Sequence, residues 1–86
     1  MGDGLKRASL SVVLSRGPWL VGDHWLTPDG LRSFYEAIQQ GKSPSECAAV
    51  LGADALSDRR CDRALSLLKK ASLVSFDRKD RRWRAD

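Results

Sequence analysis

Residues 57–71 read SDRRCDRALSLLKKA, and the spacing inside this stretch decides what kind of fold the chain can make. Cys61, Ala64, Leu65 and Leu68 recur at i, i+3, i+4 and i+7, which puts them on one stripe of a 3.6-residue helix. That stripe suits a core. Arg59, Arg63, Ser66 and Lys70 share the opposite stripe, cationic or small and polar with no carboxylate among them, so this face is free to meet an anion. A cationic helix face by itself is ordinarily a solvated surface. The chain that follows shifts the balance. Residues 73–76 and 81–84 read as two short strands around the polar turn Asp77-Arg78-Lys79-Asp80, so the helix runs directly into a basic hairpin.

Outward from that stretch, charge is distributed unevenly. The chain of 86 residues has a formal net charge of +4, yet Arg59 to Arg84 holds ten basic residues against Asp62, Asp77 and Asp80. A local excess of seven positive charges therefore sits beside a remainder with a net charge of −3, the pattern of a polyanion-binding side on a small domain. This length supports one modest core and no enclosed substrate cavity, and the 42% hydrophobic and 30% charged fractions are ordinary for a folded protein. No small-molecule substrate is expected.

Cys47 and Cys61 both occupy apolar helical positions, where a thiol behaves as a small hydrophobe, and no spacing suggests a disulfide or metal framework. His24 is the single histidine, so a zinc site and, by the same token, a metal cofactor are not expected. Asp23-His24 without a nearby nucleophile or ligand set reads as a surface or packing pair rather than a catalytic one. No Gly-rich phosphate loop appears, and the expected class is non-enzymatic with no cofactor. Apolar runs such as Val12-Val13-Leu14 and Trp19-Leu20-Val21 are far too short to span a membrane, and no signal peptide is visible. A cytoplasmic, nucleoid-associated location is expected, or a nuclear one in a eukaryote.

Taken in order, residues 5–15 fit either a helix through Leu10, Val13 and Leu14 or a strand through Leu10, Val12 and Leu14. Gly17-Pro18 ends that element, and residues 19–26 read as an apolar connector broken at Gly22-Asp23, its two tryptophans packing onto the domain. Thr27-Pro28 starts a helix by cap and first-turn proline, Leu31, Phe34, Tyr35 and Ile38 line one face of it, and Gly41 stops it. Lys42 falls in a brief extended segment. Ser43-Pro44-Ser45-Glu46 is a capping box that opens a second helix closed by Gly52. Ser57 is the expected cap of the third helix, with Leu56 stapled against Cys61 across it. In the hairpin, Val74, Phe76 and Trp83 share the inner face, while Arg82 and Arg84 form a cationic outer row. The division expected is an N-terminal arm, 1–26, that packs on the domain or mediates dimerisation, and a folded unit, 27–86.

The order helix, short extended segment, helix, turn, helix, two-stranded hairpin resembles the winged helix-turn-helix family. The resemblance covers 27–85 and rests on GKSPSECAAVLG, SDRRCDRALSLLKKASLV and SFDRKDRRWRAD as second helix, recognition helix with first strand, and wing. It implies a small α+β fold with a three-helix core and a C-terminal β-hairpin wing. The same stretch is similar in layout to the Z-nucleic-acid-binding branch at Gly41-Lys42, Lys69-Lys70 and Trp83. The branch's paired asparagine and tyrosine fall here at Asp62 and Ser66, so Z-form selectivity is not expected.

The resemblance implies that the third helix enters the major groove of duplex DNA, with Arg59 and Arg63 reading base edges. Ser66 and Lys70 are then phosphate contacts, Arg60 a further basic contact on the helix, and Arg78, Lys79, Arg81, Arg82 and Arg84 hold phosphates through the wing. Ser43 and Ser45 at the start of the second helix are candidates for one more phosphate. Trp83 reads as core rather than as a stacking platform, because its strand parity matches Phe76. The expected function is DNA binding in transcriptional regulation. The alternatives are a winged helix used for protein contact through the apolar N-terminal segment, or one that binds RNA or Z-form nucleic acid. A homodimer through that segment is the expected mode of self-association.

Overall fold

The computed structural model describes residues 10–85. Helical residues 10–15 form α1, followed by β1 (Trp19–Val21), β2 (His24–Leu26), α2 (Pro28–Gln39), α3 (Pro44–Val50), α4 (Arg59–Lys70), β3 (Val74–Asp77) and β4 (Arg82–Ala85). The result is a small α+β structure of four helices that ends in an antiparallel hairpin. One hydrophobic core holds Leu31, Phe34 and Ile38 of α2, Cys47 and Ala48 of α3, Cys61, Leu65 and Leu68 of α4, and Leu73 and Val74 at the hairpin's base. No charged or polar residue is buried in it among the described residues.

Local chemistry explains where the helices begin. The Thr27 hydroxyl accepts from the Gly30 N–H at 3.0 Å, and Pro28 occupies the first turn of α2. At α3 the capping box is complete: the Ser43 hydroxyl accepts from the Glu46 N–H (3.2 Å), and the Glu46 carboxylate accepts from the Ser43 N–H (3.1 Å). The Ser43 N–H, with its hydroxyl, also holds the Glu46 carboxyl below the usual carboxylate range.

Helices α2, α3 and α4 end alike. The N–H of Lys42, Ala53 and Leu73 bonds back to the carbonyl of Ala37, Ala48 and Leu68 at 3.0–3.1 Å, the six-residue Schellman closure. Such a closure needs one left-handed residue, supplied by Gly41 and Gly52 at φ 72° and 76°. At the end of α4 a non-glycine, Ser72, takes that conformation at φ 61°.

Several expectations need correction. Segment 5–15, open between helix and strand, is helical at residues 10–15, and its first half lies outside the described residues. Val13 is buried, Val12 is exposed, and Leu10 and Leu14 pack against the core, which is the helical parity. Residues 19–26 are not a connector but a hairpin, with Trp19 paired to Leu26, Leu20 to Trp25 and Val21 to His24 around Gly22-Asp23. Gly22 has φ 60°, which a two-residue hairpin turn requires. Trp19 packs against the core, but Trp25 is 61% exposed and does not pack onto the domain as expected.

Asp58, not Ser57, caps α4. Its carboxylate reaches the Arg60 N–H at 2.9 Å while also gripping the Arg60 guanidinium, an arrangement a serine hydroxyl cannot make. Helix α4 therefore begins at Arg59, one residue later than a cap at Ser57 implies, and Leu56 does not flank its cap. The C-terminal strands are shifted by one residue, because Leu73 belongs to the closure of α4. Their register pairs Val74 with Ala85, Ser75 with Arg84, Phe76 with Trp83 and Asp77 with Arg82. Phe76 shares a face with Val74 as expected, yet Val74 is buried and Phe76 is 47% exposed, since at that level the core lies under its partner Trp83 on β4.

Candidate nucleic-acid interface

Helix α4 turns Cys61, Ala64, Leu65 and Leu68 inward, so its remaining residues are set on the outside by the same period. Arg59, Arg63, Lys69 and Lys70 are exposed there, and Ser66 is half-buried between them. Among the described residues none of these four cations has a carboxylate within ion-pair distance. Lys69 and Lys70 lie in the last turn, where positive charge is favoured by the helix dipole.

The chain passes from α4 into β3 through the closed turn at Ser72, and the hairpin's tip carries the second group of cations. Asp77 shapes this tip: its Oδ1 accepts from the Lys79 N–H at 2.9 Å and the Asp80 N–H at 3.3 Å. Those two N–H groups, Asp80's first, and then the Arg84 guanidinium hold the Asp77 carboxyl below its ordinary range. Arg78, Lys79 and Arg81 project at the tip, all exposed and without an ion pair among the described residues.

Arg60, Arg82 and Arg84 differ from the others because the fold itself occupies them. Arg60 makes a two-point contact with Asp58, Nε to Oδ1 at 3.1 Å and Nη2 to Oδ2 at 3.2 Å. It also donates to the Leu51 carbonyl at 3.1 Å and the Gly52 carbonyl at 3.2 Å, groups left over at the end of α3. This guanidinium lowers the Asp58 carboxyl's pKa, and Asp58 in turn raises that of Arg60. Arg82 donates to the Gly41 and Lys42 carbonyls at 3.1 and 3.2 Å, tying β4 to the turn between α2 and α3. Arg84 pairs with Asp77 at 2.7 Å and with Asp80, which raises its pKa.

The candidates thus separate. Arg59, Arg63, Ser66, Lys70, Arg78, Lys79 and Arg81 present groups to solvent on α4 and the hairpin tip. Arg60, Arg82 and Arg84 hold backbone or carboxylates, and Ser45 stands exposed on the first turn of α3 beside a Ser43 hydroxyl already engaged by the cap. Asp58, Asp77 and Asp80 are engaged by arginines, which leaves Asp62 as the unpaired carboxylate of this region. Lys69 and Phe76 were missed by the sequence. The lysine lies one residue off the stripe, and no strand pattern tells where a core ends beneath a hairpin.

The other chemistry-bearing groups are quiet. Burial pushes the Cys61 thiol up to about 11 and raises that of Cys47, whose Sγ lies 3.6 Å from the Lys42 carbonyl, so neither is poised as a thiolate. A shallow cleft of about 210 Å³ lies between the end of α2 and β4, lined by Ile38, Gly41, Arg82 and Trp83 and open to solvent. Among the described residues no cluster of His, Cys, Asp and Glu suits a metal ion, and no helix is long and apolar enough to cross a membrane. No protein-family profile, no curated protein and no solved structure matches this chain.

Proposed function

We propose that this chain is a winged helix-turn-helix domain that binds duplex DNA, with the outer face of α4 in the major groove and the C-terminal hairpin as the wing. The observation that carries this is that Arg59, Arg63, Lys69, Lys70, Arg78, Lys79 and Arg81 have no ion pair among the described residues, in a segment whose other cations are all engaged by the fold. Like charges gathered on one continuous stretch of chain repel one another; a phosphate backbone relieves that repulsion with opposite charge, and binding gains further from the counterions it releases. Arg59 and Arg63 are the groups for base edges, where a guanidinium can bond O6 and N7 of guanine together. Ser66, Lys70 and the tip cations serve phosphates. Arg60, Arg82 and Arg84 hold the frame and do not serve as DNA contacts in this reading. Transcriptional control is the setting such a domain suits.

The test is a titration of the full chain with a random-sequence duplex at ~50 and ~200 mM salt. Arg78→Ala and Arg81→Ala are each expected to flatten the dependence of log K on log salt by about one unit, equally on every sequence. Arg82→Ala should leave that slope unchanged. Absence of binding at the lower salt sinks the proposal.

A protein-contact reading is favoured by one separate feature. Leu20 and Trp25 face each other on the outer side of the β1–β2 hairpin at 62% and 61% exposure. Two such side chains side by side form a small apolar patch away from any described partner. A homodimer through this hairpin would give a dimeric mass in sedimentation that Trp25→Ser abolishes.

A further inference from the structure

On the C-terminal hairpin, Phe76 stands opposite Trp83, ring centroids 5.5 Å apart and planes at 71°. Val74 and Ala85 continue the same face toward the core, where Val74 is buried, but at the level of Phe76 the core lies under Trp83. A large aromatic is therefore half-exposed, held in place by an edge-to-face partner, two residues from a tip bearing the unpaired Arg78, Lys79 and Arg81. An apolar ring set beside uncompensated cations asks for a ligand that joins negative charge to flat apolar faces. It suits a polyanion that also carries π-faces, and nucleic acid is that polymer.

Inside an intact duplex the base faces are covered by their neighbours, so a ring stacks without prising a base step apart only at a helix end or on an unpaired base, and the unpaired base can turn to meet it. We propose that the hairpin, through Phe76, takes an unpaired base, so that the preferred ligand is a junction of duplex and single strand, with α4 on the duplex and the hairpin on the strand that leaves it. This rests on the nucleic-acid reading above and adds to it the form of the ligand. Trp83 acts as a positioning residue: its ring fixes the Phe76 rotamer, and its own half-buried indole stays against the core.

The experiment compares, by fluorescence anisotropy, a blunt duplex with the same duplex carrying a short thymidine overhang. Phe76→Leu is the main variant, since it keeps an apolar group of similar reach and removes the π-face, and Phe76→Ala is the second. Melting curves of both confirm the fold. The wild type is expected to favour the overhang by about five- to 150-fold, the range of one base stacked on one aromatic ring. Both variants are expected to lose that preference while keeping blunt-duplex affinity and its salt slope, because stacking releases no counterions. Arg78→Ala should weaken both ligands equally. Equal binding of the two ligands by the wild type, or a preference that survives in Phe76→Leu, overturns this inference and leaves the duplex proposal standing. Failure to bind either ligand overturns both.

Discussion

Ser72 holds φ 61° at the exit of α4, where the equivalent positions after α2 and α3 are glycines. A side chain in that conformation costs on the order of 1 kcal/mol, so Ser72→Gly should stabilise the protein by roughly 0.5–1 kcal/mol. Urea unfolding checks this as a higher midpoint at unchanged slope. Arg59 and Arg60 are neighbours in sequence with opposite surroundings, Arg59 exposed and Arg60 held by the fold. Arg60→Ala should lower the urea midpoint, by freeing Asp58 and two carbonyls at the end of α3, whereas Arg59→Ala should leave it unchanged and weaken binding to DNA. Asp58 and Asp77 both have depressed folded pKa values, from the Arg60 guanidinium and from the Asp80 and Lys79 N–H groups respectively. Their stabilisation is present above the unfolded carboxylate pKa, about 4, and is lost as pH falls through the lower folded values. Stability should therefore fall below about pH 4, and less steeply in Asp77→Asn. The capping box at Ser43 was legible because its two partners lie three residues apart. The choice between Ser57 and Asp58 was not, since both are good caps and only the reach of Arg60 back to Asp58 separates them.

At the scale of elements, helical periodicity carried α2 and α4 because each has a full i, i+3, i+4, i+7 stripe that ended fully buried. Leu68, wholly inaccessible on that stripe, should cost about 2–5 kcal/mol when changed to alanine, measured by thermal or urea unfolding. The β1–β2 hairpin was written in the sequence as Trp19-Leu20-Val21 and His24-Trp25-Leu26 on either side of Gly22-Asp23. Its shortness made it resemble an interrupted connector, because three residues give parity too little length to register. In α1 the helix and strand patterns share Leu10 and Leu14 and differ only in Val12 against Val13, a choice settled by tertiary packing. The C-terminal hairpin's faces were legible from alternation, whereas Phe76's exposure depends on how far the core extends beneath it.

Over the whole molecule, principal extents of 38 × 32 × 17 Å describe a slab scarcely two layers deep. Cross-links within it, such as Arg82 to the Gly41 and Lys42 carbonyls about 40 residues away, leave no trace in local pattern. The N-terminal segment also reaches the common core, since Leu26 is 2% exposed and Val13 8%. A chain starting at Thr27 should consequently unfold with a broader, lower transition and a poorly dispersed amide spectrum. The turn at Ser72 closes α4 with backbone bonds and opens directly onto β3, with no spacer between the helix and the hairpin. On the proposed reading, helix and hairpin meet DNA as one unit whose relative placement is already set by that turn. Calorimetry of DNA binding should then give a heat-capacity change accounted for by the contact surface alone, without the larger drop that marks folding on binding.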